Sequence, residues 1–248
     1  MKKVFSVAVC SLLSIFLIVS SGTEAFAGGN DIQLDPGMLE NEFKDLSKEV
    51  GLLISYVPLS PAEPLGVLGF DIGVEITAAK ISSGSTFWDN AVGGNPPDYL
   101  ILPKIHVQKG LPFGIDVGAV FSTVPGSNIT LYGGELKWAV LKGSIVSPAV
   151  AVRGTYTTLS GVDDIDASTY GLDASVSKGL GPLTPYAGLG QVWISTSENK
   201  AILDFDDVST SATKLFVGTK LKILLLSIAL QADFSDINMY SARANVSF

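Results

Sequence analysis

The chain has 248 residues, with 24 acidic against 16 basic side chains, a net charge of −8 and a hydrophobic content of 47%. This acidic balance argues against nucleic acid as a partner. Cys10 is the only cysteine, which excludes an internal disulfide framework, and no change in composition divides the chain into two domains.

The first 27 residues predict a cleaved signal peptide. Two lysines precede an apolar run from Val4 to Val19, and Ala25-Phe26-Ala27 matches a cleavage site. An uncleaved membrane anchor is the alternative, but the run is barely of spanning length. Cleavage removes Cys10, so the mature chain has no thiol for metal binding or nucleophilic catalysis, and we expect no cofactor.

Residues 28–65 predict a short amphipathic helix and a proline-rich linker. Asp35-Pro36 matches a helix start, and the apolar side chains that follow recur at spacings of four and three up to about Tyr56. Prolines at 58, 61 and 64 end the helix. A strand over 52–57 is the alternative reading of this stretch.

Residues 66–248 alternate between apolar and polar side chains in segments that are separated by turn signals. Each segment is long enough for a tilted strand to cross a membrane. The predicted strands are 67–81, 98–108, 112–123, 128–141, 145–158, 167–178, 183–196, 211–222, 224–235 and 238–248.

These segments predict a closed antiparallel transmembrane β-barrel of ten strands. Charges interrupt every later window of helix-spanning length, so a membrane-embedded chain has to cross as strands and close into a barrel. Ten is an even number, as bacterial barrels require, and a strand over 52–57 would make eleven. Connections after even-numbered strands are short, whereas 82–97, 159–166 and 197–210 are long. A soluble secreted β-sandwich is the architectural alternative.

The last strand places Tyr240, Ala242, Ala244, Val246 and Phe248 on one apolar face. This ending resembles the C-terminal signature by which Gram-negative outer-membrane β-barrel proteins are handed to their assembly machinery. The resemblance covers residues 240–248 and implies an outer-membrane location. It also implies barrel-assembly machinery and outer-membrane lipid as partners, with Tyr240, Val246 and Phe248 as the assembly signal.

The predicted topology places both termini on the periplasmic side. Two positions are then open for the N-terminal helix. It lies either on the periplasmic mouth or membrane surface, or inside the lumen as a plug.

The polar faces of the strands carry charged side chains that a barrel would direct into its lumen. They are of both signs, which favours an interlocked polar interior or a narrow, weakly selective water path. The candidate lumen-lining residues are Asp71, Glu75, Lys104, His106, Asp116, Glu135, Lys137, Arg153, Asp173, Lys214, Lys220, Asp233 and Arg243.

Evidence for catalysis or metal binding is weak in this sequence. The single histidine, His106, is more typical of a lumen hydrogen-bonding residue than of a catalytic base, and no nucleophile elbow is present. Two acidic loop clusters are weak candidates for Ca²⁺ or Mg²⁺, and the alternative is that they are solvated loop charges. The clusters comprise Asp163, Asp164, Asp166, Asp204, Asp206 and Asp207.

Two functional hypotheses follow from these residues. The first is a narrow pore or passive conduit for small polar solutes, lined by the lumen charges. The second is a structural or surface-recognition barrel whose acidic extracellular loops contact lipid, a cation or a partner. An outer-membrane hydrolase is a distant third.

Overall fold

The computed structural model describes residues 37–91, 94–123, 129–162, 165–198 and 207–248. The predicted signal peptide and Asp35-Pro36 lie outside these residues. Two α-helices precede and follow the first strand: α1 is Glu40–Ile54 and α2 is Thr86–Ala91. The strands are β1 Phe70–Lys80, β2 Tyr99–Gly110, β3 Ile115–Thr123, β4 Thr130–Lys142, β5 Ala149–Ser160, β6 Ile165–Ser177, β7 Leu183–Glu198, β8 Val208–Ile223, β9 Leu226–Phe234 and β10 Met239–Ser247.

The ten strands form one closed antiparallel barrel, which confirms the predicted fold class. Each strand pairs with its neighbours in sequence, and β1 pairs with β10 from Asp71↔Ser247 to Ala79↔Met239. Phe248 extends this seam, because its N–H donates to the Phe70 carbonyl at 3.0 Å. Closure leaves no sheet edge unpaired, which is the condition for a sheet to sit in hydrocarbon.

The two ends of the barrel differ in their connections. The end with the connections after β2, β4, β6 and β8 is called the turn end, and the opposite end is called the loop end. The β8–β9 turn is only Leu224-Leu225, whereas the β1–β2 connection spans 81–98 and contains α2, which the sequence reading missed. The connection predicted at 159–166 is shorter than expected, because β5 continues to Ser160 and β6 begins at Ile165.

Side chains alternate across the wall as the pleat requires. Lumen-facing positions are buried, including charged ones, while large apolar side chains such as Leu172, Leu189 and Ile228 are more than half exposed on the outside. No helix within the described ranges is long and apolar enough to span a membrane.

Helix α1 lies inside the loop half of the lumen, so its placement on the periplasmic mouth or membrane surface is wrong. Phe43, Leu46 and Val50 are buried in one apolar cluster with loop-end side chains of the wall and with Trp88 of α2. Amphipathicity predicted which face of the helix is buried. It did not predict that the buried face packs against the inside of the barrel, on walls that are apolar only near the loop end.

Polar contacts hold α1 at the loop end. The Trp88 indole N–H donates to Glu49 at 2.7 Å, and Lys48 pairs with Asp236 at 2.8 Å. The Thr86 hydroxyl donates to Glu42 and is the main reason that the pKa of this carboxyl is lowered. The start of α1 is therefore fixed to the β1–β2 connection.

The two ends of the described chain lie at opposite ends of the barrel. Gly37 precedes α1 at the loop end, whereas Phe248 lies beside Phe70 at the turn end. The residues before Gly37 lie outside the described residues, so the placement of both termini on one side stays a prediction. The alternation of apolar and polar side chains identifies the strands and their two faces. It carries no information on the path of the chain before β1.

Gly51 packs closely against the wall. A Cβ atom there would lie 2.3 Å from the Ile194 side chain. Gly51→Ala gains about 1 kcal/mol of helix propensity, but overpacking costs about 1–3 kcal/mol. We expect a net loss of unfolding free energy in urea titrations. The exposed control Asn41→Ala should be neutral or stabilising, and equal behaviour of the two variants would contradict this packing.

Candidate functional site

Residues 55–65, called the lumen segment, run along the inside of the barrel from α1 to the turn end. Tyr56, Leu59 and Ala62 are at most 3% exposed. The Leu59 N–H donates to Gln231 at 3.2 Å, and the Leu65 N–H donates to Asp116 at 3.1 Å. The barrel wall therefore provides the hydrogen bonds that this segment does not make within itself.

Four wall cations hold the lumen segment. They project from β4, β5, β8 and β10 into the turn half of the lumen, and most of them bind backbone carbonyls. The bonds are Lys214 Nζ to Tyr56 O at 3.1 Å, Arg243 Nη2 to Pro58 O at 3.2 Å, Lys137 Nζ to Pro61 O and Glu63 O at 3.0 Å each, and Arg153 Nη2 to Ser60 Oγ at 3.3 Å.

The prolines explain why this segment suits such contacts. Proline lacks an N–H and favours an extended backbone without internal hydrogen bonds, which leaves carbonyls available to outside donors. Prolines at 58, 61 and 64 recur every third residue. In the sequence these prolines predicted only the end of the helix, although their spacing was the available signal for a segment that needs hydrogen-bond donors from a surrounding wall.

These four cations, together with Lys104 and Lys220, are paired with buried carboxylates. Glu75 pairs with two cations, because Lys104 lies 2.7 Å from Oε1 and Arg243 lies 2.9 Å from Oε2. The other pairs are Lys137–Asp116 at 2.9 Å, Arg153–Glu135 at 3.0 Å, Lys220–Asp71 at 3.1 Å and Lys214–Asp233 at 3.7 Å. Burial of single charges is costly, so this pairing is a condition for the polar lumen to be stable.

His106 lies between two carboxylates and is fully buried. Its Nδ1 is 3.8 Å from Asp71 Oδ1, and its Nε2 is 3.9 Å from Glu135 Oε1. The Tyr56 ring packs edge-on against it at 6.5 Å. Gly118 makes room for Glu135 and Tyr56, because a Cβ atom there would lie 2.7 Å from Glu135 Oε1 and 3.1 Å from the Tyr56 hydroxyl. His106 is thus a packed lumen residue without exposure to solvent.

All thirteen candidate lumen residues project into the interior. Twelve are buried, and Lys220 is partly buried near the turn end. Asp173 pairs in register with Arg153 across β5 and β6. The uncharged lumen residues were not among the candidates, since alternation alone does not separate them from ordinary strand residues. They include Gln108, Ser177, Gln231 and Asn245, which bond Glu135, the Ala62 N–H, Asp233 and Asp71 respectively.

The two acidic loop clusters are only partly described. Asp166 is exposed at the start of β6 and Asp207 is exposed before β8. Asp163, Asp164, Asp204 and Asp206 lie outside the described residues. Within the described ranges, no group of three or more His, Cys, Asp or Glu side chains is arranged to hold a metal ion.

Neither a family model nor a curated protein matches this sequence. Solved β-barrels are similar in structure at low identity. Neisserial surface protein A is 9% identical with a TM-score of 0.31, covering 72% of this chain and 95% of that one. The KdgM porin is 9% identical with a TM-score of 0.35, covering 73% and 99%. The outer membrane protein OprG from Pseudomonas aeruginosa is 8% identical with a TM-score of 0.35, covering 76% and 99%. Values this low carry no information on what this chain binds or transports.

Proposed function

We propose that this protein is an integral outer-membrane β-barrel that is closed by its own N-terminal segment and acts as a structural or surface-recognition barrel. The observation that carries this proposal is the binding of the lumen segment by wall cations, with Lys137 contacting two of its carbonyls. A pore needs a continuous water path. Here the polar half of the lumen contains a buried backbone, and the apolar half contains α1.

The outer wall supports a membrane location. Large apolar side chains cover it on consecutive strands, and in water such a surface would favour aggregation. In a membrane the same apolar surface contacts the lipid hydrocarbon and is stable there. Fractionation with heat-modifiable gel mobility tests this part directly, because a barrel that does not enter the membrane would remain in the soluble fraction.

The loop end is the recognition surface in this proposal. Barrels in this membrane direct their longer connections outward, so α2 and the start of α1 would face the medium. The exposed charges there are mainly acidic, and among the described residues they include Glu40, Asp45, Asp89, Asp166 and Asp207. This surface is complementary to cationic groups on a partner.

Cysteine labelling tests this orientation. Leu39 is 62% exposed at the loop end, and Ser147 is exposed at the turn end. In intact cells, an impermeant maleimide should label Leu39→Cys, whereas Ser147→Cys should be labelled only after lysis. Asn90→Cys in α2 is the positive control. Labelling of Asn90→Cys without Leu39→Cys would show that the chain does not thread through the lumen.

A gated conduit is the second candidate function. The observation that favours it is the charged wall, with six carboxylates and six Lys or Arg side chains facing the lumen segment or each other. Such a wall would line a water path for small polar solutes if residues 37–65 withdrew. The narrow-pore hypothesis therefore requires movement of this whole segment, α1 included.

A further inference from the structure

The turn end of the barrel carries large apolar side chains at its exposed tips. Tight turns in water usually carry small or polar residues such as Gly, Asn, Asp and Ser. Here every turn, together with the chain entering β1, exposes at least one large apolar side chain. These residues are Val67 (57% exposed), Leu68 (86%), Phe113 (84%), Ile145 (96%), Val146 (90%), Leu180 (58%) and Leu224 (89%).

Two of these tips also have strained backbone. Phe113 has φ 66° and Leu224 has φ 57°. This left-handed region favours Gly or Asn and is unfavourable for bulky side chains. Both positions therefore combine backbone strain with an apolar side chain whose exposure to water is unfavourable. An apolar environment around the Phe113 ring and the Leu224 side chain would offset that strain.

A lysine accompanies each turn. Each lies within one residue of the turn-end terminus of its strand: Lys109 in β2, Lys142 in β4, Lys178 after β6 and Lys222 in β8. Lys178 donates to the Ile145 carbonyl of the neighbouring turn at 2.7 Å. Lys142 and Lys222 are exposed. Cations at this level complement the phosphates of a lipid surface, and long lysine stems can lie along apolar groups while their amines reach the headgroups.

We propose that the turn end is a lipid-binding surface, embedded in the interface of the inner leaflet instead of projecting into the periplasm. The proposal rests on the membrane location given above. The apolar tips occur in all four turns, which suits the lipid that surrounds a barrel better than a protein that docks on one side. They also continue the apolar outer wall, where Leu183 and Leu226 are exposed next to the turns.

Fluorophore depth measurements test this surface. Phe113→Cys and Leu224→Cys, each labelled with an environment-sensitive dye, are reconstituted in vesicles of phosphatidylcholine and phosphatidylglycerol. We expect blue-shifted emission and quenching by spin-labelled lipid. Loop-end Asn90→Cys should show water-like emission and iodide quenching. Water-like emission and iodide quenching at Phe113→Cys and Leu224→Cys would overturn the proposal. The apolar tips would then be available to bind a soluble partner.

Leu172→Cys on the outer wall distinguishes failure of the lipid-binding proposal from failure of the proposed membrane location. Lipid quenching at Leu172→Cys without quenching at the tips would reject only the lipid-binding turn end. Water-like emission at Leu172→Cys would reject the membrane location itself.

The dependence of barrel stability on lipid charge tests whether the turn-end lysines contact headgroups. The urea midpoint of the unmodified barrel should rise when phosphatidylglycerol replaces phosphatidylcholine, and Lys142→Gln/Lys222→Gln should lose most of that rise. Lys44→Gln on α1 at the loop end is the matched control. An unchanged rise in the double variant would overturn the headgroup contact.

Discussion

Removal of residues 37–65 should convert a silent barrel into a conducting one. In planar bilayers the full chain should give no single-channel steps, because α1 fills the loop half and the lumen segment fills the turn half. The deletion variant should give discrete steps, since both halves lose their contents while the β1–β10 seam is kept. Single-channel recording in symmetric salt, with folding checked by heat-modifiable mobility, makes this measurement.

A charged variant covers the case in which the deletion fails to fold. Leu46→Asp/Val50→Asp places two unpaired charges in the apolar cluster, which costs several kcal/mol and should expel α1. Lys44→Asp changes the charge on the exposed side of the same helix, and this variant should give no single-channel conductance. A folded deletion variant without conductance would mean that the wall alone closes the lumen, contrary to the role given to residues 37–65.

The second large effect is expected at Glu75. This carboxylate neutralises both Lys104 and Arg243, and all three side chains are at most 2% exposed. Glu75→Gln keeps the size but leaves two buried cations without their shared counter-charge. Breaking a buried pair from one side costs about 3–5 kcal/mol. Urea unfolding in vesicles should show a loss of unfolding free energy of this order.

Glu40→Gln is the matched control for Glu75→Gln. Glu40 is exposed at the start of α1, and exposed charges contribute little to stability. Arg243 also donates to Pro58 O. We therefore expect Glu75→Gln to loosen the lumen segment, which proteolysis near residues 55–65 should detect. Equal stability of the two variants would argue against a buried charge network.

The strands were predictable because one physical rule governs them. A wall with an apolar outside and a polar inside has period two, and the alternation predicted all ten strands, including β9 at 224–235 against the observed Leu226–Phe234. Larger differences occur at both ends: β8 begins at Val208 instead of residue 211, and β5 begins at Ala149 instead of residue 145. Pro148 has no N–H to donate to a neighbouring strand, so β5 begins only after it.

The interior of the loop half was not predictable from the same rule. Lumen-facing residues there are apolar, as Leu102, Ile165 and Ile194 show. A polar inner face was expected along the whole strand. Apolar side chains on both faces indicate a buried partner on each side, and within residues 37–69 α1 is the one long amphipathic helix. That combination is a signal that could have placed α1 in the lumen.

The ion pairs depend on register and on the path of the lumen segment. Alternation placed Glu75 and Arg243 on one face, but their contact follows from direct pairing of the two residues across the β1–β10 seam. Contacts of Lys137 with Pro61 and Glu63 join residues far apart in sequence. No local pattern predicts these, because they form only when the barrel closes around the segment.

A disulfide between the lumen segment and the wall tests the central claim most directly. The Ala62 N–H donates to the Ser177 hydroxyl at 3.1 Å, so these side chains are neighbours. In a Cys10→Ser background, Ala62→Cys/Ser177→Cys should form a disulfide on mild oxidation, seen as a mobility shift that a reductant reverses. Ala62→Cys paired with outward-facing Leu172→Cys should not. Absence of the Ala62–Ser177 disulfide in a folded barrel would show that the segment does not occupy the lumen.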